Sequence, residues 1–245
     1  MKLNQKVTEM VESGIEPISL QYERVHFFDD GPSIVRSFLG INSLDIGALD
    51  YPQYRFVVAR CKQSEQMVGC HVTKLLRAIH YKLTNQEGSV LCYTIPVYAR
   101  TLRDGLLSRI LFEEFAKFPD VPPSMVCVEI SADILYEDME WVEKEMRELG
   151  NLGVKIAMSE VGDEFCPIFR LASLPFDYVL LDPFATRVAL SDRAENSAEW
   201  LIEYLHDRNA RVIAPGLDTA AKIDAVRELD CDGYTVADSY VEEVV

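Results

Sequence analysis

The sequence predicts an α/β barrel, a mainly parallel sheet closed on itself and ringed by helices, with one strand running against the others. Three observations predict it. From residue 89 onward, short apolar runs alternate with segments of helical periodicity, the order that builds a parallel sheet. Seven or eight such strands in 245 residues suit a closed, TIM-like (β/α)8 barrel better than an open sheet. The first two strands are joined by a turn too short for a parallel crossover, so the barrel must contain one antiparallel strand.

Each element has its own signal. Residues 1–14, MKLNQKVTEMVESG, read as an amphipathic lead-in helix. Residues 18–28 and 34–41 read as strands about a turn at Asp29-Asp30-Gly31-Pro32, residues that favour a tight reversal. Residues 63–83 carry the 3.6-residue period of a helix lying on a core. Residues 89–97 form a strand and 102–118 a helix; 125–131 form a strand and 137–149 a helix, with Gly150 and Gly153 marking its exit. Residues 155–158, 178–181, 212–214 and 234–237 are short β-type runs, with helical segments near 167–173, 195–208 and 219–229. Composition stays even, with no linker-like stretch, so residues 1–245 are read as one domain.

Composition excludes several functions. Hydrophobic residues make up 49% and the net charge is −16, so the chain should fold and its surface should repel phosphate backbones. Nucleic acid and anionic membrane are therefore not expected as partners. Solubility is the ordinary explanation of the charge, and docking onto a basic protein is the sharper one. The six cysteines form no C-x-x-C pair, and Cys92 and Cys127 lie inside apolar runs, as expected of a reduced, cytoplasmic protein. His26, His71, His80 and His206 match no zinc spacing. No run approaches the ~20 apolar residues of a spanning helix, and the N-terminus carries no signal-peptide pattern. The acidic residues of 137–149 read as a solvated helix face.

Four strand-end pieces carry a resemblance: YTIPVYARTLRD (93–104), VEISADIL (128–135), KIAMSEVGDEFCPIFRLASLPFDYVLLD (155–182) and VIAPGLDTAAKIDAVRELDCD (212–232). In order and nearly in spacing, they resemble the V-N-L-S-x-x-x-L-R-D, L-E-I-T-E-S, I-A-L-D-D-F-G-T-G-Y-S-S-L with V-D-x-I-K-I-D, and I-A-E-G-V-E-T segments of the EAL family of cyclic di-GMP phosphodiesterases. The resemblance covers about 220 residues and implies a barrel whose strand ends hold two divalent cations, hard ions that need several oxygen ligands to activate water. At those positions this chain departs from the family. The signature Glu of E-x-L-x-R falls on Phe38 and its phosphate-contacting Arg on Asn42; the Asn ligand falls on Pro96. The Asp-Asp pair becomes Ser159-Glu160, the catalytic Lys becomes Leu180, A-E-G-V-E becomes Ala214-Pro215-Gly216-Leu217-Asp218, and the late Gln becomes Thr235. Glu23-Arg24 stands in place of the family's Gln-Pro.

Of the acidic positions, Glu129 is retained, Asp182 matches the Asp of K-I-D, and Glu160 and Asp218 keep charge at altered length. These four are vestigial metal candidates; the ordinary reading of each is a strand-end carboxylate that is paired or wet. Neither Mg²⁺ nor Mn²⁺ is expected to bind, and no catalytic residue is assigned. Phe38 and Leu180 are expected to fill the old pocket and leave a shallower, drier mouth. In the loop 161–167, Glu164 replaces a Gly and Pro167 stiffens the backbone, which argues against ligand-driven rearrangement; Phe165 faces either an interface or the core. The resemblance then implies a catalytically inactive signalling protein that binds another protein, a regulator among the options, and pairs with a second copy through the barrel's interface helices. The alternatives are a non-hydrolysing cyclic di-GMP receptor and a residual phosphodiesterase.

Overall fold

The computed structural model describes residues 9, 18–29, 31–43, 47–49, 51–60, 64–85, 90–163, 166–190, 195–237 and 239–243. The expected lead-in helix lies outside them apart from Glu9, which is helical. Among the described residues, ten strands form one sheet: β1 (Ile18–Phe27), β2 (Ser33–Ser43), β3 (Gly47–Leu49), β4 (Val90–Val97), β5 (Val126–Ser131), β6 (Lys155–Val161), β7 (Tyr178–Leu181), β8 (Arg211–Leu217), β9 (Gly233–Val236) and β10 (Val241–Glu243). The helices are α1 (Tyr51–Arg60), α2 (Ser64–Thr84), α3 (Ala99–Leu102), α4 (Leu106–Phe115), α5 (Met139–Asn151), α6 (Pro183–Ala189), α7 (Glu195–His206) and α8 (Ala220–Glu228).

Eight strands close in the order β1-β2-β4-β5-β6-β7-β8-β9, with β9 returning to β1. All neighbouring pairs from β2 through β9 are parallel, and β1 is antiparallel to both of its neighbours. This is the predicted barrel with its single reversed strand. Strands β3 and β10 add short antiparallel pairings to β2 and β1. Strand alternation sorts the side chains. On β5, Val126, Val128 and Ile130 pack outward into the core shared with the helices, while Cys127, Glu129 and Ser131 occupy the other face, which lines the barrel interior. Val25, Ile34, Cys92, Cys127, Ala157, Tyr178, Leu180 and Ile213 form a separate apolar cluster, the floor inside the barrel.

Several sequence expectations need correction. The single helix at 102–118 is broken: Asp104 (φ 60°) and Gly105 (φ 66°) are both left-handed and divide α3 from α4. Helix α5 runs through Gly150 to Asn151, and its exit is Gly153 alone, at φ 85°. The segment 168–173 is a 3-10 helix. Helices α1 and α6 were not anticipated. Their causes differ. Helix α6 begins with Pro183 at its first position and the Asp182 carboxylate accepting from the Phe184 N–H at 2.6 Å. Helix α1 is only weakly amphipathic and is fixed by what Tyr54 and Arg55 reach. Glu145 is not on the solvated face of α5: it is buried and accepts from the Gly105 N–H at 3.1 Å, holding the α3–α4 break.

Closure depends on the β1–β9 seam, where Phe27 faces Gly233. A Cβ on Gly233 would lie 2.7 Å from the His26 carbonyl oxygen, so the two backbones meet closely only because that side chain is absent. Gly233→Ala is expected to cost about 2 kcal/mol or more in urea unfolding, as overpacking against fixed backbone does. An unchanged midpoint would place closure elsewhere.

Candidate functional site

The barrel mouth, at the carboxyl ends of the parallel strands, opens into a cavity of about 400 Å³ lined by residues of β2, α1, β4 through β8, α6 and the segment before β10. This is where barrels of parallel strands place their sites. It bears on the expectation of a shallower, drier mouth. Phe38 (1% exposed) and Leu180 (3%) are buried as expected, but they leave a chamber with charged walls.

At its base lies a buried ion cluster. Strand alternation puts Ile34, Arg36 and Phe38 on the inner face of β2. The Arg36 guanidinium forks Glu129, with Nη2 at 2.6 Å from Oε1 and Nε at 2.9 Å from Oε2, and Nη1 reaches Glu23 Oε2 at 2.6 Å. The Thr94 hydroxyl donates to Glu129 Oε2 at 3.1 Å. The Arg36 side chain is 14% exposed, that of Glu23 6% and that of Glu129 3%. Burial opposes the charge of Arg36, but Glu129 and then Glu23 outweigh it and push its pKa above the usual range. Both Glu129 oxygens are therefore engaged by a permanent cation.

The other acidic candidates point to different partners. Glu160, held at φ 61° in the bulge of β6, takes the Arg55 guanidinium on Oε1 and the Ser131 hydroxyl at 2.7 Å on Oε2. Asp182 caps α6. Asp218 is outside the cavity wall, bonded to Lys222 Nζ at 2.7 Å, which lowers its pKa. Glu129, Glu160 and Asp182 thus share one cavity without converging, and among the described residues no three His, Cys, Asp or Glu side chains are grouped to hold a metal. Pro96, Ser159 and Pro215 line the wall. Thr235 is fully buried and accepts from the Gly216 N–H at 3.0 Å. The side chain of Asn42 and the residues Glu164 and Phe165 lie outside the described residues.

Aromatic rings form the upper wall. Phe38 is 4.9 Å from the Tyr51 ring and 5.6 Å from that of Tyr240, and the Arg36 guanidinium stands 5.0 Å from the Phe38 centroid. Burial raises the Tyr51 pKa. Behind β2, Ser37 donates to the Thr94 carbonyl at 2.5 Å, so the hydroxyl must accept from His71 Nε2 at 2.9 Å, which fixes that nitrogen as the protonated one.

Arg36 was missed in the sequence, although a lone Arg two residues from Phe38 in an apolar strand is a legible signal of an inward charge. Arg55, Tyr51 and Tyr240 were missed because α1 was not anticipated and residue 240 precedes a three-residue strand.

The EAL domain family profile matches residues 57–235. The chain belongs to the EAL domain family. Its sequence is 30% identical over 118 residues to an uncharacterized signaling protein of Caulobacter vibrioides, covering 46% of this chain and 15% of that protein. It is 22% identical over 152 residues to the signaling protein YkoW of Bacillus subtilis, covering 62% of this chain and 19% of that protein. The EAL domain thus spans less than a fifth of these curated relatives. Among solved structures it superposes with TM-score 0.82 on a PaMucR phosphodiesterase in complex with c-di-GMP, at 16% identity and covering 96% and 95% of the two chains. The FimX EAL domain of Pseudomonas aeruginosa bound to c-di-GMP gives TM-score 0.80 at 13% identity, covering 95% and 93%. These likenesses establish the fold. Among the described residues, no helix of this EAL domain is long and apolar enough to cross a membrane.

Arg36→Ala leaves Glu23 and Glu129 buried without their cation and is expected to cost about 3–5 kcal/mol in urea unfolding, with Glu129→Gln recovering part of that loss in the double variant. Additive losses would show that the fork is not a coupled unit. His71, fully buried, has its pKa lowered by desolvation from 6.5 to about 3. The unfolded chain takes up this proton near pH 6.5 and the folded one does not, so stability is full above that pH and falls by about 1.4 kcal/mol per unit as pH drops toward 3. His71→Leu should flatten that acid limb in pH-dependent unfolding.

Proposed function

We propose that this EAL domain is catalytically silent and acts in signalling by binding another protein. One observation carries the reading: the Arg36 guanidinium occupies both oxygens of Glu129, the carboxylate that the family resemblance makes a metal ligand. A fixed positive charge there repels a divalent cation and consumes its ligand. The other residues fit the metals no better. Phe38 and Pro96 offer no side-chain oxygen, Leu180 offers no ammonium, Glu160 is committed to Arg55, and Asp182 spends one carboxylate oxygen on the start of α6. These residues do not suit the ions that hydrolysis would need.

Cyclic di-GMP is bound in the PaMucR and FimX structures. In this chain five acidic side chains at or just behind the mouth (Glu23, Asp133, Glu129, Glu160, Asp182) face three arginines, which disfavours a dianionic nucleotide. A scaffold that keeps its fold while its pocket disfavours the family's ligand is suited to act through its surface, and a cytoplasmic setting accords with its free cysteines.

Incubating the chain with cyclic di-GMP and Mg²⁺ or Mn²⁺ is expected to give no linear pGpG, because losing the ligands and the base together removes several factors of about 10²–10⁴. Affinity capture with the whole chain should recover one specific protein. Turnover, nucleotide affinity at micromolar level, or the absence of any specific partner each contradicts the reading.

A further inference from the structure

The mouth cavity has a wall chemistry that the silent-domain reading does not use. Its rings, Phe38, Tyr51, Tyr98, Phe184 and Tyr240, converge on a space of about 400 Å³, large enough for a small ligand or a long side chain. Among its charges, two groups neutralise internally: Arg55 pairs with Glu160, and Arg36 pairs with Glu129 while Glu23 behind it remains in excess. Asp133 lines the cavity and makes no ion pair among the described residues; desolvation first, then like-charged Glu160 and Asp163, raise its pKa, and Arg55 offsets them only in part. Asp182 spends one oxygen on the Phe184 N–H and makes no ion pair among the described residues either. Against these stands Arg187 at the rim, exposed and 6.0 Å from the Phe184 ring. Five carboxylates against three guanidiniums leave the mouth net negative, in a chain whose overall charge is −16.

We propose that the barrel mouth is a cation-accepting pocket that receives an Arg or Lys side chain of a protein partner. The inference rests on the silent-domain reading and names the chemistry of its partner. Aromatic faces attract a cation through their quadrupoles, and the acidic groups supply hydrogen-bond acceptors for its N–H donors. Arg is the better fit, since its weakly hydrated planar guanidinium stacks on rings and forks a carboxylate. The cavity repels the phosphates of a nucleotide by the same charges that draw the guanidinium in.

The test is titration of the whole chain with capped Gly-Gly-Arg-Gly-Gly, followed by amide NMR shifts, beside the same peptide carrying neutral citrulline. The Arg peptide should shift mouth residues with millimolar affinity and the citrulline peptide should not. Asp133→Asn should weaken binding about three- to ten-fold, the effect of one charge across a partly wet cavity, and Arg187→Ala should tighten it by a similar factor. High salt should weaken it. Tyr51→Leu should weaken it without changing the charge. Asp182→Asn, which keeps the cap of α6, serves as a second acidic variant with the same expected direction. Absence of shifts at the mouth, equal binding of citrulline, or indifference to both Asp133→Asn and Arg187→Ala overturns the proposal. Failure here with no pGpG formed leaves the silent-domain reading standing, whereas pGpG formation overturns that reading through a separate readout.

Discussion

The interior of this barrel is organised around one guanidinium. Arg36 binds Glu23 on the reversed strand β1 and Glu129 on the parallel strand β5, so a single side chain on β2 ties three strands across the lumen. Such a cluster is costly to desolvate, and buried ion pairs of this kind are often no more stabilising than well-packed apolar residues. What it imposes is order. Strand β2 must present Arg36 inward, which sets the register that puts Ile34 on the floor below and Phe38 in the mouth above, because a one-residue slip would send every one of them outward.

On the proposed reading, the same charge sets the chemistry of the mouth. A divalent ion and a guanidinium both answer a pair of buried carboxylates, but the ion exchanges ligands and activates water, whereas the guanidinium holds its hydrogen bonds and does neither. With Arg36 in place, the polarity of the mouth becomes a fixed structural property. Above it, Arg55 fastens α1 to Glu160 and Tyr54 reaches the Leu39 carbonyl, so the helix that walls the cavity is anchored to β2 and β6. The left-handed backbone at Glu160 is maintained by those bonds, as strained residues at functional sites are.

Much of the fold was legible in the chain. Alternation of strand and helix patterns pointed to a parallel barrel, and the short turn between β1 and β2 required one reversed strand, since a parallel neighbour needs a long crossover. That Phe38, Pro96 and Leu180 lie at the barrel mouth was legible by motif. Helix α1 was not, because its hydrophobic pattern is weak and its stability comes from tertiary anchors. The break at Asp104–Gly105 was hidden for a related reason: the carboxylate that holds it, Glu145, lies forty residues away on α5, on a helix whose acidic residues all look solvated in one dimension.

The sequence by itself determined which groups are present inside the barrel, because a period of two assigns each strand residue to lumen or exterior. It did not determine which groups meet. Whether Glu129 is a free ligand or a forked one depends on residues 93 and 106 positions away in the chain, Arg36 and Glu23, brought together only when the sheet closes. Pairing energies of buried charges depend on distance and burial, quantities that exist only after closure, and so the character of the mouth was decided by the tertiary structure.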